Sequence, residues 1–239
     1  MKRTNKKWRS PSLGKDMELL IYGESGTPIL AIPTRGKSID QFEEKGLVDT
    51  ISFQIENGFN QLFCIESDDD KSFLNESIAP EKRILRHQQY ESYVIDEVVP
   101  FIHDNASVEY LILAGFDTGG YHAINLALKH PTEVGKAIGI SGIYDIRALM
   151  NGYFDDNVYY NSPIDYVPNL NNQAMLEKIR KVDFRLVSYS NDPKKDDAYR
   201  LAHIFQTKVI EHELDVWDKE GKSEGEWDLW NEMLKVHIV

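Results

Sequence analysis

The chain has 239 residues, 41% of them hydrophobic and 11% aromatic, which is enough apolar surface for one large core, and no low-complexity tract competes with it. A formal net charge of −12 argues against non-specific nucleic-acid binding, which needs clustered Lys and Arg to neutralise phosphates. The single cysteine, Cys64, excludes an internal disulfide and any metal site built from several thiolates.

Basic residues gather at the start, at Lys2, Arg3, Lys6, Lys7 and Arg9. This opening lacks the apolar stretch of a secretory signal and is expected to be a flexible, solvated tail over residues 1–9. No apolar run approaches the roughly 20 residues of a membrane span, so a cytoplasmic protein with neither membrane nor nucleic-acid partners is expected. Short β-branched and aromatic runs predict strands at residues 17–22, 28–32, 61–65, 110–114, 137–140, 184–189 and 209–216. Cys64 falls within the third of these and reads as core packing. Between them lie helical patterns. Ser38-Ile39-Asp40-Gln41 has a capping-box spacing and opens an amphipathic stretch through Phe42, Val48, Ile51 and Ile55, interrupted by Gly46. Pro80 starts a longer helix, expected to kink or end near Pro100. Residues 119–129, 196–206 and 227–236 complete the helices. Strand and helix alternate without a linker or an internal repeat, so the expected architecture is α/β, one domain over residues 1–239, with a mostly parallel sheet covered on both faces. Ligands of such sheets bind at the carboxyl ends of the strands.

The most informative segment is Leu111-Ile112-Leu113-Ala114-Gly115-Phe116-Asp117-Thr118-Gly119-Gly120, in which an apolar strand runs into Gly-x-Asp-x-Gly-Gly and then a helix. That is the context of a nucleophile elbow, whose glycines two positions either side of the central residue leave room for neighbouring backbone.

The chain resembles the esterase-like proteins of the putative-esterase superfamily, within the α/β-hydrolase fold. The resemblance runs from Trp8-Arg9-Ser10-Pro11 through Leu62-Phe63-Cys64-Ile65, Tyr90-Glu91-Ser92-Tyr93, Glu97-Val98-Val99-Pro100 and the elbow. It continues through Tyr121-His122-Ala123-Ile124-Asn125, Ser141-Gly142-Ile143-Tyr144-Asp145, Tyr160-Asn161-Ser162-Pro163 and Trp227-Asp228-Leu229-Trp230. It implies an elbow serine where this chain has Asp117, and a histidine two residues before the first tryptophan of Trp-x-x-Trp, where this chain has Gly225. The carboxylate position of the triad is retained as Asp192.

These departures bear on chemistry. In a Ser-His-Asp site the histidine takes the serine proton and later activates water, while the acid only orients the histidine. Asp117 cannot replace serine in that cycle. Haloalkane dehalogenases and epoxide hydrolases use an elbow aspartate as nucleophile, but a histidine-activated water resolves their ester. Of the seven histidines, His122 lies about 140° around the helix from the elbow and is expected to pack or cap, His212 reads as a strand residue, and His237 is close to the end of the sequence. Asp117 also suits a helix N-terminus, where its carboxylate would accept backbone N–H bonds. The run Asp68-Asp69-Asp70 is expected to be a solvated acidic loop rather than a metal site. Ile32-Pro33-Thr34-Arg35-Gly36 and the Thr118 N–H stand where an oxyanion hole would be, and Thr34, Arg35, Thr118 and Tyr90 are the expected pocket residues. Residues 151–160, rich in aromatic and acidic side chains, suit either a recognition loop or a packed connection, and Trp227 with Trp230 and Leu234 has the spacing of core packing.

Three functions fit: a non-hydrolytic protein that binds a small molecule or a protein partner, an enzyme of altered mechanism using Asp117 as nucleophile or base, and a weak carboxylesterase. No cofactor and no metal is expected, and self-association into a homo-oligomer is compatible with the sequence.

Overall fold

The computed structural model describes residues 1–36, 38–106, 108, 110–218 and 225–239. Its strands are β1 (Arg3–Arg9), β2 (Asp16–Tyr22), β3 (Thr27–Ile32), β4 (Asn60–Ile65), β5 (Ile112–Phe116), β6 (Lys136–Ile140), β7 (Asp183–Tyr189) and β8 (His212–Trp217). They form one eight-stranded sheet in the order β1-β2-β4-β3-β5-β6-β7-β8. The β1/β2 and β2/β4 pairs are antiparallel and all others parallel. Three short helices follow β3: α1 (Gln41–Glu44), α2 (Leu47–Thr50) and α3 (Ser52–Glu56). Beyond β4 come α4 (Pro80–Ser92), a π-helical turn (Tyr93–Val98) and α5 (Val99–Asn105), then α6 (Thr118–Lys129) after β5. The later helices are α7 (Asp156–Tyr159), α8 (Pro163–Tyr166), α9 (Gln173–Ile179), α10 (Lys195–Thr207) and α11 (Glu226–His237).

The alternation of β5 shows how the sheet is covered. Leu111 and Leu113 join the core beneath α4 to α6, α9 and α10, whereas Ile112, Ala114 and Phe116 join the opposite core beneath α1 to α3 and α11. Period-2 exposure to two apolar layers is what a central parallel strand requires. The expected α/β-hydrolase architecture is therefore observed.

Several boundaries differ from expectation for identifiable reasons. Residues 3–9 are not a tail but the edge strand β1, with Trp8 packed on Tyr93 and Phe101 and its indole N–H donated to Glu97 at 2.8 Å. Its lysines and arginines point outward, and charge is what keeps an exposed edge from pairing with another chain. The stretch from Ser38 breaks into three helices because Gly46 adopts φ 78°, and Gln41 turns its side chain to Thr34 rather than capping Ser38. The helix from Pro80 does not stop at Pro100: a π turn absorbs the missing amide, and the helix runs on to Asn105. The last strand begins at His212 because Val209 turns the chain with φ 55°. Within residues 151–160, Asp155 caps α7 by accepting the Val158 N–H at 2.8 Å, and Val158 is fully buried. Among the described residues no helix is long and apolar enough to cross a membrane.

The first turn of α6 lies directly on the sheet. A Cβ on Gly119 would stand 2.1 Å from the Ile32 carbonyl oxygen, and one on Gly115 would stand 2.2 Å from the Gly119 carbonyl oxygen. Both obstacles are backbone, so neither can move without breaking the β3–β5–α6 contact. Gly119→Ala is expected to lower stability by about 3 kcal/mol or more, read as a reduced urea midpoint with an unchanged denaturant slope.

Candidate functional site at the elbow

Asp117 joins β5 to α6 with φ 56° and ψ −118°, a strained conformation for a non-glycine residue. It is held by its own N–H donating to the Ile140 carbonyl at 3.0 Å and by its carbonyl accepting the Tyr121 N–H at 3.1 Å. The side chain therefore stands at the carboxyl ends of the strands, 14% exposed. It does not cap α6: no backbone N–H of the helix donates to it. Its partners are two cations instead. Arg35, from the loop after β3, places Nε 3.0 Å from Oδ2 and donates from Nη2 to Oδ1 at 3.5 Å. Lys194, from the turn before α10, places Nζ 3.2 Å from Oδ1. The same ammonium lies 5.8 Å from the centre of the Trp230 ring, a cation–π contact.

The surrounding residues are committed to structure. The Thr34 N–H donates to Gln41 Oε1 at 2.9 Å, and Gln41 Nε2 donates to Thr34 Oγ1 at 2.6 Å. Thr34 thus has its amide engaged rather than aimed at a reacting oxygen. Thr118 is fully buried and donates from Oγ1 to Asp69 Oδ2 at 2.9 Å, while His122 Nε2 meets Asp69 Oδ1 at 3.0 Å. Tyr90 does not line a pocket: it is 1% exposed in the core, edge-on to His122, and its hydroxyl donates to the Glu66 carbonyl at 3.1 Å. The acidic run is not a solvated loop either. Asp68 and Asp69 are buried, Asp68 pairing with Lys15 at 2.7 Å and Arg86 at 2.5 Å; only Asp70 is exposed. These pairings were invisible in the sequence because their cations and imidazole lie far along the chain.

Asp192 keeps a buried carboxylate but spends it locally. It accepts from Ser188 Oγ at 2.9 Å and from the Lys194 N–H at 2.9 Å, which fixes the turn that presents Lys194. Gly225 begins α11 and donates its N–H to Asp228 Oδ2 at 3.1 Å. Beyond it, Trp227 and Trp230 pack on Phe116 at 5.3 and 5.5 Å, and the Trp230 indole N–H donates to Ser141 Oγ at 3.1 Å. The tryptophan pair is thus core packing that seats α11 behind the elbow.

A cleft of about 460 Å³ opens beside Asp117's partners, lined by Arg35 and Lys194, by Ile143, Ala148, Leu149 and Pro193, and by Asp145, Asp196 and Asp197. Among the described residues no histidine hydrogen-bonds to Asp117. His122 packs inward on Asp69, His212 lies in β8, and His237 meets Asp215 at 3.1 Å. Glu213, Asp215 and His237 have donor atoms within 4.8 Å of one another, but Arg185 already pairs with Glu213, and the Trp217 indole N–H donates to Asp215. Cys64 is buried and burial raises its thiol pKa, so it is an inert core residue.

A strand, a strained elbow, a helix and a mostly parallel sheet define an esterase-like protein of the α/β-hydrolase fold. The Putative esterase family model matches residues 67–237, and the chain belongs to that family. No curated protein matches the sequence. Among solved structures it is similar to a ferulic acid esterase, with 14% identity, a TM-score of 0.77, and 99% of this chain and 96% of the other covered. It is also similar to an S-formylglutathione hydrolase from Agrobacterium tumefaciens, with 14% identity, a TM-score of 0.75, and 99% and 92% covered. A third is an S-formylglutathione hydrolase from Staphylococcus aureus, with 14% identity, a TM-score of 0.70, and 99% and 97% covered. Likeness at this identity speaks for the fold.

The network under the elbow makes stability pH-dependent. Burial and the neighbouring His122 push the His87 pKa down to about 3, so the ring is neutral in the native protein. Burial alone would raise Asp69, but His122 and Thr118 hold it below the ordinary carboxylate range. The unfolded chain binds the His87 proton near pH 6.5 and the native state does not, so acidification favours unfolding. Stability is expected to fall as pH drops from about 6.5 toward 3, by up to about 1.4 kcal/mol per pH unit from this group, and Asp69 adds to the loss at the acid end. Urea midpoints at pH 7.0, 5.5 and 4.5 check this, and His87→Gln should flatten the slope by close to one proton.

Proposed function

We propose that this chain is a non-hydrolytic, esterase-like protein whose elbow serves binding rather than bond cleavage. The observation that carries the reading is the ion triad at Asp117, whose two carboxylate oxygens face Arg35 and Lys194. A hydrolytic elbow needs a nucleophile with a base beside it and donors waiting for a developing negative charge. Asp117 brings a negative charge of its own, and the Thr34 amide is engaged by Gln41. Gly225, at the position proposed for the base, has no side chain to offer.

A second reading rests on the strained backbone of Asp117, which presents its carboxylate as a nucleophilic elbow presents its side chain. An alkyl-aspartyl ester formed there would have no histidine to activate the water that releases it. That route ends in a trapped adduct instead of turnover.

The two readings part in one assay. With p-nitrophenyl acetate the wild-type protein is expected to release nitrophenol no faster than buffer, and with 1-bromobutane, whose bromide would leave on attack by a carboxylate, to show no added mass by intact-protein spectrometry. Turnover or an adduct that disappears in Asp117→Asn would overturn the binding reading and make Asp117 the nucleophile. Turnover unchanged in Asp117→Asn would overturn it equally and point to a weak esterase using another group.

A further inference from the structure

We propose that the cleft beside the elbow binds a small organic monocarboxylate, with its anionic end between Arg35 and Lys194 and its apolar body against Ile143, Ala148, Leu149 and Pro193. This rests on the reading that the site binds rather than hydrolyses, and it names the ligand class.

The charges at the elbow favour an anion. Arg35 and Lys194 share one carboxylate, Asp117, so the triad carries a surplus of one positive charge. Among the described residues no second carboxylate lies within 4.0 Å of either cation. Their side chains are 40% and 23% exposed, and both line the cleft. Arg35 has five N–H donors and Lys194 three; Asp117 engages only part of each set. A guanidinium fork and an ammonium point charge are both suited to a carboxylate.

The acidic residues of the lining limit the charge a ligand can carry. Asp145 is engaged by Arg147 at 2.6 Å and by Arg200 at 3.4 Å, and Asp197 accepts the N–H groups of Tyr144 and Asp145 at 2.9 and 3.1 Å. Asp196 is exposed at the start of α10. Three carboxylates in the lining disfavour a dianion or polyanion, such as a phosphate ester, while a single negative charge can sit between Arg35 and Lys194. A cation finds no partner in Asp117, which resident cations already cover. The four apolar lining residues receive an uncharged body, and about 460 Å³ is within the range of small-molecule pockets.

The test uses benzoate as the probe, with benzamide, benzylamine and inorganic phosphate as comparators, by ligand-observed NMR and calorimetry on the full chain. Benzoate is expected to bind saturably and more weakly as salt rises, and at least tenfold more tightly than the comparators. Arg35→Gln and Lys194→Gln, each with native circular dichroism, should weaken it about tenfold. Asp117→Asn, which frees both cations, should tighten it several-fold. The inference is overturned if benzoate binds no better than benzamide, or if both cation variants bind it as wild type does. Failure here with no ester turnover leaves the binding reading standing without this ligand class, whereas Asp117-dependent turnover removes the binding reading itself.

Discussion

The backbone contact between α6 and the strands beneath it sets the terms for everything at the elbow. Gly115 and Gly119 let the Ile32 carbonyl and the first turn of α6 approach closer than any Cβ permits. Because β3 is pinned there, the loop that leaves it carries Arg35 to Asp117. Because β5 must turn at once into α6, Asp117 is forced to φ 56° and its side chain projects at the strand ends instead of capping the helix. The β7–α10 turn, tied by Asp192, delivers Lys194 from the other side. One steric constraint on β3, β5 and α6 therefore seats the carboxylate and one cation, and an Asx-type turn supplies the other.

Three carboxylates near this contact show what burial demands. An unpaired ion taken out of water costs several kcal/mol, and Asp68, Asp69 and Asp117 each have partners. The partners differ in kind. Asp69 is held by Thr118 and His122, both buried, so its network stiffens the elbow and is closed to solvent. Asp68 is fully buried and clamped by Lys15 and Arg86. Asp117 is held by long side chains that reach water and border a cleft. Such side chains can exchange one anion for another at modest cost, which is why the functional reading centres on this carboxylate and leaves Asp69 to architecture.

Much of the fold was legible in the sequence. Apolar runs such as Gln61-Leu62-Phe63-Cys64-Ile65 have the length and composition of buried parallel strands, and Gly-x-Asp-x-Gly-Gly after such a run marks the elbow. What escaped depends on long-range partners. The alternating charges of residues 3–9 read as a tail because their pairing with β2 and the seat of Trp8 on Tyr93 are tertiary facts. Asp68 and Asp69 read as solvated for the same reason. The sequence puts Tyr90 and Thr34 on a pocket wall, yet the first is core and the second is tied to Gln41. Arg35 was legible as a residue of the right loop; that it meets Asp117, 82 positions away, was not. No local pattern announced Lys194.

Gly225 helps decide whether fold or charge limits chemistry at this site. Its φ and ψ of −62° and 160° are ordinary extended backbone that any residue adopts, and among the described residues an added Cβ would meet only Asp228 Oδ2, at 3.3 Å. Nothing in the start of α11 therefore demands glycine. Asp192, with two donors on a carboxylate that can accept about four, retains acceptor capacity for an imidazole. On the binding reading, what sets this site apart from a hydrolytic one is Asp117 and the cations paired with it. That pairing leaves one positive charge over, and the fold presents that charge at the carboxyl ends of its strands, where α/β proteins hold their ligands.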